Sequence, residues 1–158
     1  MKNLRYFVFI YLVGVLLGRA QSASEIEWKS WSELEHSIKE ESKPIFIFFY
    51  AKWCSYCKKI EREIFTKTQV IAKLNSRYYA LKMDVEQTDT ITFLGRKFIN
   101  KQAISKRNGV HEIPLLLASR EGFSFSLPAT IILTKDFTVK KRYFEYYTSK
   151  QLLDFLIL

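Results

Sequence analysis

The two cysteines of this 158-residue chain stand three apart, in Trp53-Cys54-Ser55-Tyr56-Cys57-Lys58, directly after the apolar run Ile45-Phe46-Ile47-Phe48-Phe49-Tyr50-Ala51. A run of that length bounded by polar residues predicts a buried strand, and the residues after it predict a helix that starts at the first cysteine. Free N–H groups and the positive end of the helix dipole favour a thiolate there. Cys57, one turn on, lies within reach of a disulfide with Cys54. A reversible dithiol/disulfide pair is the simplest device such a segment makes. A purely structural bridge is the weaker reading, because so short a loop removes little entropy from the unfolded chain. A zinc site needs about four ligands, and the two histidines, His36 and His111, give no ligand spacing. No metal and no cofactor is expected.

The N-terminus is read separately from the domain. Met1 to Arg5 is basic, Tyr6 to Leu17 is apolar apart from Gly14, and Gly18-Arg19-Ala20 places small residues before Gln21. This pattern predicts a signal peptide over residues 1–20 and a mature domain over 21–158. The alternative is an uncleaved N-terminal membrane anchor, for which the apolar stretch is short against the ~20 residues of a span. Export to the periplasm or outside the cell is therefore expected, and there a working dithiol needs a partner that resets it. Loss of Lys2, Arg5 and Arg19 lowers the formal charge from +9 to +6. The remaining Lys and Arg are spread along the chain without an aromatic-interleaved pattern, so nucleic acid is not an expected partner.

Along the mature chain, Trp31, Leu34 and Ile38 recur at helical spacing, with Ser32 and Glu35 as a candidate capping box. Lys43-Pro44 ends that helix and opens the buried strand. A helix from Cys54 to Phe65, a further helical segment around Val70 to Leu74 and a strand from Tyr78 to Val85 follow. Residues 86–125 form an insertion in which Thr90 to Ile99 is expected to be helical. In its remainder Lys101 to Gly109 is loop-like, and His111 to Ser119 is helical with Pro114 in the first turn. Thr130 to Leu133 predicts a second buried strand, Val139 to Tyr147 an edge strand, and Thr148 with Gln151 a capping box before a last helix. The order predicts one α/β domain, a mixed central sheet flanked by helices.

Trp31 before a helix, Lys43-Pro44-Ile45, Ala51-Lys52-Trp53-Cys54, Cys57-Lys58 followed by Glu61 and Glu63, and Leu127-Pro128-Ala129-Thr130 together resemble the thioredoxin-like superfamily. The closer similarity is to exported proteins related to the C-terminal domain of thiol:disulfide interchange reductases. The resemblance covers nearly all of residues 26–158. It implies a thioredoxin fold with a helical insertion before a cis-proline loop. Pro128 is then the cis-proline facing the disulfide, and Leu127 offers its backbone to an extended substrate strand. Cys54 is expected to be the nucleophile and Cys57 the resolving thiol; Trp53 is a docking surface or lid, with a core role the alternative, and Tyr56 shapes substrate choice, with simple solvent-facing packing the alternative. The implied partners are protein disulfides and a membrane or soluble thiol reductant, and the implied state is a monomer.

Two positions depart from the pattern. Thioredoxins carry a buried carboxylate six residues before the first cysteine, where this chain has Phe48. Cys57 must then lose its proton to water or another base; Glu61, one helical turn on, is a candidate, though its position reads first as that of an exposed surface acid. Between the cysteines stands Ser-Tyr, which supplies no cationic or proline device for a very low Cys54 pKa, so a potential toward the reducing end is expected. An oxidase or isomerase would use the same residues. A binding or chaperone module without turnover, docking partners through residues 86–125, is the reading from another class.

Overall fold

A computed structural model describes residues 24–157; the expected signal peptide lies outside them. The apolar run folds as β2 (Ile45–Tyr50), every residue of it buried except Tyr50. Its place explains its composition: a strand with neighbours on both sides and cover on both faces has no polar face to show. Five strands form the sheet, in the order β1 (Trp28–Lys29), β3 (Tyr79–Asp84), β2, β6 (Ala129–Leu133), β7 (Val139–Tyr143). The first three are parallel, β6 runs antiparallel to β2, and β7 antiparallel to β6. On one face Phe46 and Phe48 meet Phe65 edge-on at 6.1 and 4.9 Å, and Trp28 packs on Phe65 at 5.2 Å.

The helices are α1 (Trp31–Glu40), α2 (Ser55–Glu63), α3 (Thr68–Arg77), α4 (Glu112–Ala118) and α5 (Ser149–Phe155). The capping box at Thr148 and Gln151 forms as the sequence predicts. At α1 the box is Ser30 with Glu33 rather than Ser32 with Glu35. The helix begins two residues earlier than a box at Ser32 would place it, at Trp31, and Glu35 is instead free to accept from the Leu94 amide and to pair with Lys39. Strand β1 went unread because two residues are too few to display alternation. Two buried tyrosines tie distant elements together. Tyr78 donates to the Leu156 carbonyl at 2.8 Å, and burial pushes its hydroxyl pKa up to about 12. Tyr147, fully buried, pairs with the Thr130 hydroxyl at 3.0 Å, and burial raises its pKa further.

The insertion differs most from its sequence reading. Residues 90–99 are not helical: β4 (Ile91–Phe93) and β5 (Arg96–Phe98) form an antiparallel hairpin. Its two-residue turn, Leu94-Gly95, takes positive φ at both positions, the twist that closes a hairpin. Phe93 anchors it, edge-on to Trp31 at 5.3 Å and to Phe137 at 5.5 Å. The expected loop then contains a short 3-10 turn (Lys101–Ile104), capped where Asn100 accepts from the Ala103 amide. The helix expected over 111–119 is present as α4, with Pro114 in its first turn.

Gly109 closes this turn against its neighbours' backbone. A Cβ there would sit 2.4 Å from the Ala103 nitrogen and 2.5 Å from the Gln102 carbonyl carbon. Backbone cannot swing aside as a flexible side chain would. Gly109→Ala is therefore expected to cost about 1–3 kcal/mol through overpacking. Urea unfolding is the check, and hydrogen exchange should place the loss around residues 100–111.

His111 holds the other end of the insertion. Its Nδ1 accepts the Ile113 amide at 3.2 Å, its Nε2 faces the Asp89 carbonyl at 3.2 Å, and the ring is fully buried. One nitrogen must accept and the other donate, so the ring is neutral, with its proton on Nε2. Burial lowers its pKa below the ordinary 6.5, against the opposing pull of the Asp89 carbonyl and Glu112. A neutral-favouring fold binds fewer protons than the unfolded chain between the two pKa values, so the stabilisation is present above about pH 6.5 and is lost as pH falls toward the folded value. Unfolding titrations below neutrality should show this slope in the wild type. His111→Asn keeps a capping acceptor without a titrating ring and should flatten it.

Candidate redox site

The strand-to-helix junction sets the geometry of the cysteines. After β2 the chain turns with the Cys54 amide donating to the Ala51 carbonyl at 3.0 Å. Cys54 becomes the N-cap of α2, extended at φ −72° and ψ 99°. Its Sγ accepts the Cys57 amide at 3.1 Å. The two residues form a disulfide, with Cα atoms 5.2 Å apart. The first turn of α2 carries no acid, so no like charge opposes a thiolate at its positive end. Both cysteines are buried; Cys54 retains 4% exposure and Cys57 none. The arrangement leaves the Cys54 sulfur nearer the surface and the Cys57 sulfur behind it.

Leu127–Pro128 is a cis peptide bond. The pairing of Phe49 with Ala129 sets Pro128 beside the end of β2 from which the cysteine loop departs. The segment singled out in the sequence thus reaches the same end of the sheet as Cys54, with Pro128 buried and Leu127 partly exposed. Trp53 and Tyr56 are both solvent-facing, at 58% and 62% exposure, which rules out a core role for Trp53.

Two residues that sequence reasoning missed hold these aromatics in place. The Trp53 indole donates to Glu86 Oε1 at 2.7 Å, and Glu86 is itself set by its amide's bond to Asp84 Oδ1. The Tyr56 ring lies 6.1 Å from Tyr146, whose ring also carries the Lys59 ammonium at 4.7 Å. Nothing local in the sequence signals either pairing, since both join segments that meet only in the folded sheet.

The proton acceptor suggested for Cys57 is otherwise engaged. Glu61 Oε1 lies 2.7 Å from the Lys82 ammonium, which also sits over the Tyr50 and Trp28 rings at 5.5 and 5.7 Å. Phe48 occupies the expected acid position, fully buried and paired in register with Lys82 and Thr130. Among the described residues no group of three or more His, Cys, Asp and Glu side chains converges to hold a metal, and no helix is long and apolar enough to cross a membrane.

The thioredoxin-like domain model matches residues 32–136, spanning β2, the cysteine pair and the cis-proline strand. The chain belongs to the thioredoxin-like domain family. Among curated relatives, the thiol:disulfide interchange protein DsbD of Ralstonia nicotianae is 36% identical over 61 residues, 39% of this chain and 9% of that protein. This chain therefore spans about a tenth of the length of the curated relatives it matches. Among solved structures, the DsbH oxidoreductase superposes with a TM-score of 0.58 at 17% identity, over 87% of this chain and 86% of that one. The reduced C-terminal domain of Neisseria meningitidis DsbD gives 0.51 at 15% identity, over 79% and 89%. At these identities the likeness is one of fold, the thioredoxin type, and within it this chain carries the Cys54–Cys57 disulfide.

Proposed function

We propose that this protein is an exported thiol–disulfide oxidoreductase that reduces protein disulfides. The observation that carries the reading is Cys54 at the N-cap of α2, its sulfur accepting an amide hydrogen and its partner Cys57 buried one turn behind. In the reduced protein the Cys54 thiolate attacks a substrate disulfide; one substrate sulfur leaves as a thiolate, and a mixed disulfide remains. Cys57, deprotonated, then attacks the Cys54 sulfur and expels the second substrate thiolate. The substrate gains two electrons and, at neutral pH, two protons; the protein is left with the Cys54–Cys57 disulfide. A membrane or soluble dithiol partner returns those two electrons.

Trp53, Tyr56, Leu127 and Pro128 form the docking surface in this reading, with the domain working as a monomer after loss of residues 1–20. The absence of a cationic residue between the cysteines supports a reducing potential. Equilibration with glutathione tests the direction: a potential near that of thioredoxin, about −270 mV, supports a reductase, and one near about −120 mV replaces it with an oxidant. Insulin-disulfide reduction with a chemical dithiol as electron source tests turnover itself. Inactivity under those conditions would replace the enzyme by a binding module.

A further inference from the structure

The insertion carries a surface that the redox site does not use. Between Asp89 and Glu112 the chain has five cations, Arg96, Lys97, Lys101, Lys106 and Arg107, and no acid. Within the same stretch three aliphatic side chains face solvent: Leu94 at 52%, Ile99 at 38% and Ile104 at 88% exposure. Single exposed aliphatics are ordinary on a protein surface. Three within eleven residues, interleaved with charge of one sign, are not what a merely soluble loop needs.

Two details sharpen this. Leu94 holds φ 50° at the hairpin tip, a left-handed conformation disfavoured for leucine and suited to Asn or Gly. A leucine placed there against its backbone preference and left in solvent points to use of the side chain. The cations are also mostly free. Lys101 pairs with Glu112 at 2.6 Å, whereas Arg96, Lys97, Lys106 and Arg107 form no ion pair among the described residues. The nearby acids are already occupied, Glu35 by the Leu94 amide and Lys39, Glu112 by Lys101 and the Ile99 amide.

The geometry points to an anionic membrane surface as the partner of this insertion. Cations meet lipid phosphates there while Ile104, standing out from its short turn between Lys101 and Lys106, enters the headgroup–acyl boundary. An acidic protein would satisfy the same cations, but a single aliphatic protruding from a turn is suited to a fluid interface rather than to a pocketed partner face. The inference does not rest on the redox reading.

The test uses the chain from Ser24 onward, which contains every core residue described, with vesicles of equimolar phosphatidylcholine and phosphatidylglycerol. Co-sedimentation is expected, falling as salt rises, and absent with phosphatidylcholine alone. Lys106→Ser with Arg107→Ser should lower the partition coefficient roughly fivefold per charge. Ile104→Ser should lower it with the charge unchanged, and Lys67→Ser with Lys73→Ser, at the N-cap and within α3, should change it much less. Urea unfolding of each variant reports that the fold is intact without entering the binding readout. The proposal is overturned by failure to bind the anionic vesicles, or by equal loss in the α3 pair, which would mean diffuse attraction. Tighter binding to polyglutamate, sensitive to Lys106 and Arg107 but not to Ile104, would overturn it in favour of an acidic protein partner.

Discussion

Cys54→Ser is expected to reduce insulin-disulfide turnover to the background of the chemical dithiol, whereas Cys57→Ala should accumulate substrate on Cys54 as a mixed disulfide. The asymmetry follows from position. Cys54 caps α2, accepts the Cys57 amide and retains the only exposure of the pair; Cys57 lies inside the first turn, fully buried. A thiolate at Cys54 is favoured by the free amides and the dipole, and an incoming disulfide can reach only that sulfur. With Cys57 gone, attack proceeds and resolution does not, so non-reducing gels should show one substrate per protein, released by dithiothreitol. Limiting iodoacetamide should label Cys54 of the reduced protein well ahead of Cys57. Preferential labelling of Cys57, or adducts that form on Cys54→Ser instead, would reverse the assigned roles.

The parts of this site that could be read from sequence are those built within a few residues. Cys54 and Cys57, the strand before them and the Thr148–Gln151 box are local patterns, and each folds as its pattern implies. Leu127-Pro128 was legible only through the resemblance, since the sequence of a proline before a strand does not fix its isomer. Residues 90–99 misled for a definite reason: Ile91, Leu94 and Phe98 fall at i, i+3 and i+7, which suits a helix face as well as it suits a hairpin. Gly95 marked the turn, but leucine beside it is an unusual occupant of a positive φ, so the hairpin signal was weak. Glu86 and Tyr146 were invisible because their roles arise from contacts 33 residues from Trp53 and across the sheet to Tyr56. Long-range pairs of that kind depend on topology, which no local window contains.

Phe48→Asp restores the carboxylate that the resemblance to thioredoxins implies at this position, and it is expected to destabilise the protein by several kcal/mol. Phe48 is fully buried, edge-on to Phe65 at 4.9 Å and stacked with Tyr50 at 6.3 Å. Removing the ring costs about 3–5 kcal/mol by analogy with other buried Phe truncations, and an unpaired carboxyl among phenyl rings adds a desolvation penalty. Lys82 is its neighbour in register, but that ammonium is held by Glu61 at 2.7 Å and would have to leave it. The two contributions separate by pH. Burial raises the new carboxyl's pKa, so the folded state binds its proton more tightly than the unfolded chain. The charge penalty is then absent below the unfolded value of about 3.9 and grows as pH rises toward the folded one, whereas the lost ring packing costs the same throughout. Urea unfolding of the oxidised protein at several pH values should therefore show a deficit for Phe48→Asp that widens from acid to neutral pH. The deficit of Phe48→Leu should be smaller than that of losing the whole side chain and flat with pH, since it leaves an apolar group with nothing to titrate. A pH-independent deficit in Phe48→Asp would mean that Lys82 had turned inward to pair with the new carboxylate, and Glu61, released, would then be the acid nearest to Cys57 on α2 without a cation of its own.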